Sequence, residues 1–246
     1  MRVLALDTTT PAGSVALIED DRVEDERRGD AARTHAERLP GEILSVLNVR
    51  GLSASDIDLF AVASGPGSFT GLRIGIATMQ GLALVHRRPV VGVSALDALA
   101  WAAGASAMPG TLVAVWMDAH RREVFSALYR VTDAAPFALD RLVEVAAAAV
   151  GDPAATLARW AARGSAETRV FVGDGAVRYE DAIRGGGAAD AVIVPPPPIA
   201  GTIGRLALAR ARVGAAVDPA GIRPLYVRRP DAEIDREKKD VPRPGA

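Results

Sequence analysis

Apolar runs closed by short polar turns set the pattern of this chain from its first residues. Residues 3–6 are apolar, Asp7, Thr8, Thr9 and Thr10 follow, the chain turns at Pro11-Ala12-Gly13, and residues 15–18 are apolar again. That pattern predicts a hairpin with a polar tip. The charged stretch 22–29 predicts a third strand that ends at the surface. Over 34–48, Leu39, Ile43, Leu44 and Leu47 are expected on one helix face with Glu37, Arg38 and Glu42 flanking it, which predicts an amphipathic helix. Pro40-Gly41 interrupts it and is expected to bend or delay that helix. Residues 58–63 read as a short buried strand, and Gly65 to Gly71 as a turn with Ser68 or Thr70 as N-cap. A helix to about Val85 and a strand over 89–93 complete this half.

The second half opens as the first does. Residues 111–118 form an apolar run ending in Asp118, 119–123 turn, and 124–129 return. Strand, terminal acid, polar turn and strand appear twice, which points to a duplicated architecture. Ala-rich helices are predicted near 139–150 and 153–163, a short strand over 169–172 before Gly173-Asp174-Gly175, a flexible tip at 185–187, and a stiff connector over 195–198. A last helix is expected over 199–213 and an extended segment over 222–227. Strands alternating with helices favour an α/β sheet over a helical bundle. The expected organisation is one lobe over 1–108 with 219–230 packing back on it, a second, degenerate lobe over 109–218, and a disordered charged tail over 231–246.

Composition narrows the chemistry. The chain has 246 residues, 49% hydrophobic and 24% charged, with a formal net charge of -1. No basic run is present to neutralise nucleic-acid phosphates directly. The absence of cysteine removes disulfides, thiolate zinc sites and cysteine nucleophiles. Asp7 interrupts the N-terminal apolar run and no uncharged apolar stretch of about 18 residues occurs, so a soluble cytoplasmic protein without a membrane helix is expected. The histidines, His35, His86 and His120, offer no i, i+4 metal pair. Neither a nucleophile elbow nor a Ser-His-Asp order is present. No catalytic residue, metal or cofactor is therefore expected.

Asp7, Thr8, Thr9 and Thr10 remain a candidate nucleotide-binding tip, since an acid and hydroxyls beside backbone N–H groups can cradle phosphate; they are equally ordinary turn residues. Residues 119–122 make a poor second phosphate turn, having no glycine and bulky side chains. Conventional ATP hydrolysis is not expected, and weak nucleotide binding stays open.

The run Gly65-Pro66-Gly67-Ser68-Phe69-Thr70-Gly71-Leu72-Arg73-Ile74-Gly75 matches neither a P-loop nor the dinucleotide fingerprint. Gly71 and Gly75 share a helix face, with Ala77 and Gly81 following, so the run favours close helix packing over an anion cradle. Together with Leu6 to Thr10, Thr34 to Leu39, Val91 to Leu96, Asp118 to Phe125 and Gly173-Asp174-Gly175, it closely resembles the TsaB (YeaZ) family, non-catalytic relatives of TsaD also labelled peptidase M22 or glycoprotease. The match is dense over 1–125 and collinear to about Tyr226; Ala36 stands where the family usually has serine.

The resemblance implies a duplicated actin-like fold of two lobes, related to Hsp70, sugar kinases and RNase H. It also implies a scaffold role in making N6-threonylcarbamoyladenosine in tRNA. There TsaD transfers the threonylcarbamoyl group, TsaB binds and supports TsaD, a TsaE ATPase joins, and tRNA is met through the complex. The implied contact is helical, over 34–48 and 71–85. His35, Leu39, Ile43, Leu47, Gly71, Leu72, Ile74, Gly75, Thr78, Met79 and Leu82 are expected in it. A chain purified alone is expected to form homodimers through the same helices. An ATP-dependent small-molecule kinase and an M22-type metallopeptidase are the competing readings.

Overall fold

A computed structural model describes residues 1–162 and 170–228. The first half runs β1 (Arg2–Asp7), β2 (Ser14–Glu19), β3 (Arg22–Arg28), α1 (His35–Asn48), β4 (Leu59–Gly65), α2 (Phe69–His86) and β5 (Val90–Ser94). Its sheet has the order β3-β2-β1-β4-β5. The three meander strands pair antiparallel, while β1–β4 and β4–β5 are parallel. Helix α3 (Ala95–Gly104) leads to β6 (Leu112–Asp118), β7 (Val124–Val131), β8 (Leu142–Gly151), α4 (Pro153–Ala161), β9 (Val170–Val172), α5 (Asp174–Arg178), α6 (Glu180–Gly185), β10 (Val192–Val194) and α7 (Ala200–Arg212). The second sheet reads β8-β7-β6-β9-β10 from its far edge, with the same antiparallel and parallel senses. Strand for strand, the two sheets have one topology. This is a duplicated α/β architecture of two lobes.

Helices cover both faces of each sheet, which explains why β1 reads as a continuous apolar run rather than an alternating one. Val3, Leu4, Ala5 and Leu6 are all fully buried. On one side, Leu4 and Leu6 join Leu39, Ile43 and Leu47 of α1 and Ile76 and Met79 of α2. On the other, Val3 and Ala5 join a core that includes α3, α7 and residues of the second sheet. A third cluster, around Trp116, Trp160 and Phe171, lies under α4, α5 and α6.

Three expectations change. The Ala-rich segment near 139–150 is not a helix but the edge strand β8, paired with β7 from Val131↔Leu142 to Val124↔Gly151. Alanine favours helix locally, but the open edge of β7 supplies a ladder, and Leu142 and Ala146 turn inward to the core. Pro40-Gly41 does not delay α1, which starts at His35 behind a capping box. Thr34 N–H donates to Glu37 at 2.9 Å and the Thr34 hydroxyl at 2.8 Å. Pro40 sits on the exposed side, where water can serve the carbonyl that its missing N–H leaves unpaired.

The lobes also exchange helices across the expected 108/109 boundary. Helix α3, apolar nearly all round, packs against β6, β7, β8 and β9 as well as β4 and β5. Helix α7 lies on β1, β2, β4 and β5 of the first sheet. Its N-terminus is held there: Ser14 Oγ accepts from Ala200 N–H at 3.0 Å, and Glu26 accepts from Gly201 N–H at 2.8 Å. Gly204 permits the contact, because a Cβ there would run into Ile18. Beyond α7, Pro219–Gly221 make a short 3-10 turn against α2, and Ile222 is buried with Val90. The expected tail over 231–246 and residues 229–230 lie outside the described residues.

Candidate interaction surface and interlobe cleft

At the β1–β2 tip, the polar capacity of the acid and hydroxyls is largely spent inside the turn. Asp7 is 4% exposed; its Oδ1 accepts from Thr9 N–H at 2.8 Å and from Thr9 Oγ1 at 2.6 Å. The glycine loop closes over it, with Ser68 N–H donating to the Thr9 carbonyl at 2.8 Å. A Cβ on Gly67 would press against Thr9, and one on Gly71 or Gly75 would overlap Thr8. Thr8 and Thr9 are buried, and Thr10, whose Oγ1 accepts from Gly13 N–H at 3.2 Å, is half-buried. Of the four residues of the candidate nucleotide-binding tip, Asp7, Thr8 and Thr9 are buried.

Burial pushes the Asp7 carboxyl above the usual carboxylate range, against the lowering effect of the Thr9 hydrogen bonds. Unfolded Asp7 titrates in the ordinary range and folded Asp7 higher, so its ionisation weakens the fold as pH rises between those values. Asp7→Asn keeps an oxygen for Thr9 and removes the charge. It is expected to raise Tm at pH 7. That gain should fade as pH falls toward the unfolded carboxylate value, which thermal melts at a series of pH values would check.

His35 and Arg38 belt the same tip. His35 Nε2 lies 3.1 Å from the Thr10 carbonyl and Nδ1 lies 2.8 Å from Arg38 Nη2. Arg38 also donates to the Pro11 and Ala12 carbonyls and pairs with Glu42 at 2.7 Å. Since guanidinium only donates, this geometry requires a neutral ring with its proton on Nε2. Burial first, then the Arg38 charge, lowers the ring's pKa. His35 therefore holds a hairpin instead of standing on an outer face.

The helix face needs the same correction. Leu39, Ile43, Leu47, Leu72 and Met79 are at most 6% exposed and pack into this chain's own core. Gly71 and Gly75 are small because Thr8 approaches them. The apolar stripe of α1 thus turns toward the sheet, as the stripe of a surface helix should. A second apolar face points outward, and α1 and α2 pack side by side. It carries Pro40, Gly41 and Leu44 on α1 and Ala77, Gly81, Leu84 and Val85 on α2, with Ile74, Thr78 and Leu82 half-buried among them. Leu44, Leu84 and Val85 are 59%, 57% and 76% exposed. A Cβ on Gly41 or Gly81 would meet nothing within 4 Å. The signal for this face was the i, i+4 pair Ala77 and Gly81 with Leu84 and Val85 outside the inner stripe.

A cleft of about 720 Å³ separates the lobes. Thr9, Thr10, Gly67 and Ser68 line one wall, Met117, Asp118, Ala119, His120 and Asp174 the other, and residues 225–228 border it. Asp174 Oδ1 accepts from Asp118 N–H at 3.0 Å and Gly175 N–H at 2.9 Å. Burial raises its pKa above the usual range, and the negative Asp118 adds to that. Asp118 pairs with Arg178 at 3.2 Å. The β6–β7 turn places His120, Arg121 and Arg122 at φ of 57°, 55° and 63°, left-handed backbone that bulky residues rarely adopt. Among the described residues, no three His, Asp or Glu side chains come together to hold a metal, and no helix is long and apolar enough to cross a membrane.

Comparison with known proteins assigns the family. The model of the TsaD family, tRNA N6-adenosine threonylcarbamoyltransferase, matches residues 29–193. The tRNA threonylcarbamoyladenosine biosynthesis protein TsaB of Escherichia coli is 43% identical over 131 residues, which are 53% of this chain and 55% of that protein. TsaB of Bacillus subtilis is 34% identical over 130 residues, 53% of this chain and 56% of its own. The chain thus spans about half the length of the curated relatives it matches. A crystal structure from Pseudomonas aeruginosa, of an uncharacterized protein with similarity to peptidase YeaZ, superposes with a TM-score of 0.76. It is 30% identical, with 92% of this chain and 99% of that one covered. With the family model spanning most of the chain and the Pseudomonas relative covered almost end to end, the chain belongs to the TsaB/YeaZ family of TsaD-like proteins.

Proposed function

We propose that this chain is a non-catalytic subunit of the machinery that makes N6-threonylcarbamoyladenosine in tRNA. It docks on a TsaD-like catalytic subunit through the outer face of α1 and α2. The observation that carries this reading is that face itself: two adjacent helices whose exposed positions include the small or apolar Pro40, Gly41, Leu44, Ala77, Gly81, Leu84 and Val85. Small residues let a partner's backbone approach closely, and exposed leucine and valine supply apolar area to bury. A TsaE-like ATPase joins the assembly, tRNA is met through the complex, and the setting is cytoplasmic. In the absence of a partner the same face pairs two copies of this chain.

The buried Asp7, Thr8 and Thr9 speak against the kinase reading, which needs an open acid-and-hydroxyl tip toward ATP phosphates. Reconstitution tests the proposal. A TsaD-like subunit, a TsaE-like ATPase, threonylcarbamoyl-AMP and tRNA are expected to give modified adenosine with this chain present and at least tenfold less without it. The chain alone is expected to turn over neither ATP nor peptide. Equal modification with and without the chain would refute the proposal.

A further inference from the structure

The segment after Pro219–Gly221 runs from one lobe to the other along the border of the cleft. It is fastened first to α2 and β4: Gln80 donates to the Pro219 carbonyl at 2.8 Å, and Leu225 N–H donates to the Ser64 carbonyl at 2.7 Å. Two glycines make room for it. A Cβ on Gly92 would lie 2.9 Å from Ile222 Cδ1, and one on Gly65 would lie 2.6 Å from the Leu225 carbonyl oxygen. Tyr226 then meets Phe69 with ring centroids 5.4 Å apart. On the second lobe, the Arg228 guanidinium donates to the Ala119 carbonyl at 2.7 Å, pairs with Glu123 and lies 5.5 Å from the Phe125 ring centre. The hold is unequal. Among the described residues, buried Ile222 and backbone bonding fix the first end, whereas the side chain of Arg228, beside a half-buried Val227, fixes the second. The α3–α7 core joins the lobes behind the cleft, so the mouth is where they have room to part.

We propose that residues 222–228 are a latch, anchored on the first lobe and released from the second through Arg228, that sets how far the cleft mouth opens. The inference stands apart from the docking proposal, because it concerns the lobes of one chain. The sequence contains no cysteine, so Thr70→Cys with His120→Cys places a single spin-label pair on opposite walls of the mouth. Double electron–electron resonance on the full chain then reads the opening. Arg228→Ala is expected to lengthen the mean distance by more than about 2 Å, the scale of a loop or domain rearrangement, or to broaden the distribution visibly. Glu123→Gln keeps the side-chain shape and removes the ion pair, so it should shift the distribution the same way by less, and it guards against general damage from Arg228→Ala. Arg223, which bonds within its own segment to the Ala220 and Ile222 carbonyls, is the control, and Arg223→Ala should leave the distribution unchanged. Parental distributions for both Arg228→Ala and Glu123→Gln, or an equal opening from Arg223→Ala, would overturn the latch.

Discussion

Arginine at both Ala77 and Gly81 is expected to leave a folded chain that no longer holds the TsaD-like subunit proposed as its partner. Both positions face outward on α2, and a Cβ on Gly81 meets no atom within 4 Å. Folding stability should therefore move by no more than about 0.5 kcal/mol, with the loss of a helical glycine slightly favourable. The interface responds differently, since two guanidinium groups would be buried against a close-packed helix without counter-charges. Several kcal/mol of desolvation is the ordinary cost, so affinity should drop more than about 100-fold. Titration calorimetry against the partner, with circular dichroism as the folding check, measures both. Retention of parental affinity in a folded double variant would remove α2 from the interface.

Gly71→Val should do the reverse, damaging the fold first. A Cβ there runs into the Thr8 carbonyl, a backbone atom that cannot rotate away, and Thr8 is fully buried. Overpacking of this kind costs about 1–3 kcal/mol and occasionally more; against immobile backbone the upper end is expected, a fall in Tm of about 6–12 °C. Binding should decline only with the folded fraction. An unchanged melting temperature with lost binding would mean that Gly71 faces the partner, contrary to the packing described above.

These two variants separate what the sequence makes legible from what it hides. The strands of the first sheet could be placed because β1, β4 and β5 are unbroken apolar runs. The duplication was visible in Asp7 and Asp118, each ending a strand before a polar turn, and it reappears as identical strand order in both sheets. Strand β8 was hidden because its alanines favour helix and only the unpaired edge of β7 makes them a strand. Helices α3, α5 and α6 were not anticipated, and neither was the exchange of α3 and α7 between lobes, which depends on contacts between distant segments. For a related reason the sequence did not separate the buried from the exposed members of the set expected at the interface. Periodicity locates an apolar stripe on α1 but says nothing of a second apolar face, and α2 carries small or apolar residues nearly all round. The sheet buried Leu72 and Met79 and left Ala77, Gly81, Leu84 and Val85 outside. Gly71 and Gly75, read as an invitation to a partner, instead accommodate Thr8.

Because α7 completes the first sheet, the N-terminal half leaves the ribosome with one side of that sheet bare. Helix α3 reaches β4 and β5, but Val3, Ala5 and Ile18 on β1 and β2 lie under the segment Ala200–Arg212. Cotranslational folding of the first sheet must therefore wait until residues 200–212 have been made, and a fragment cut at residue 108 would present sticky apolar β1 and β2 positions where α7 otherwise lies.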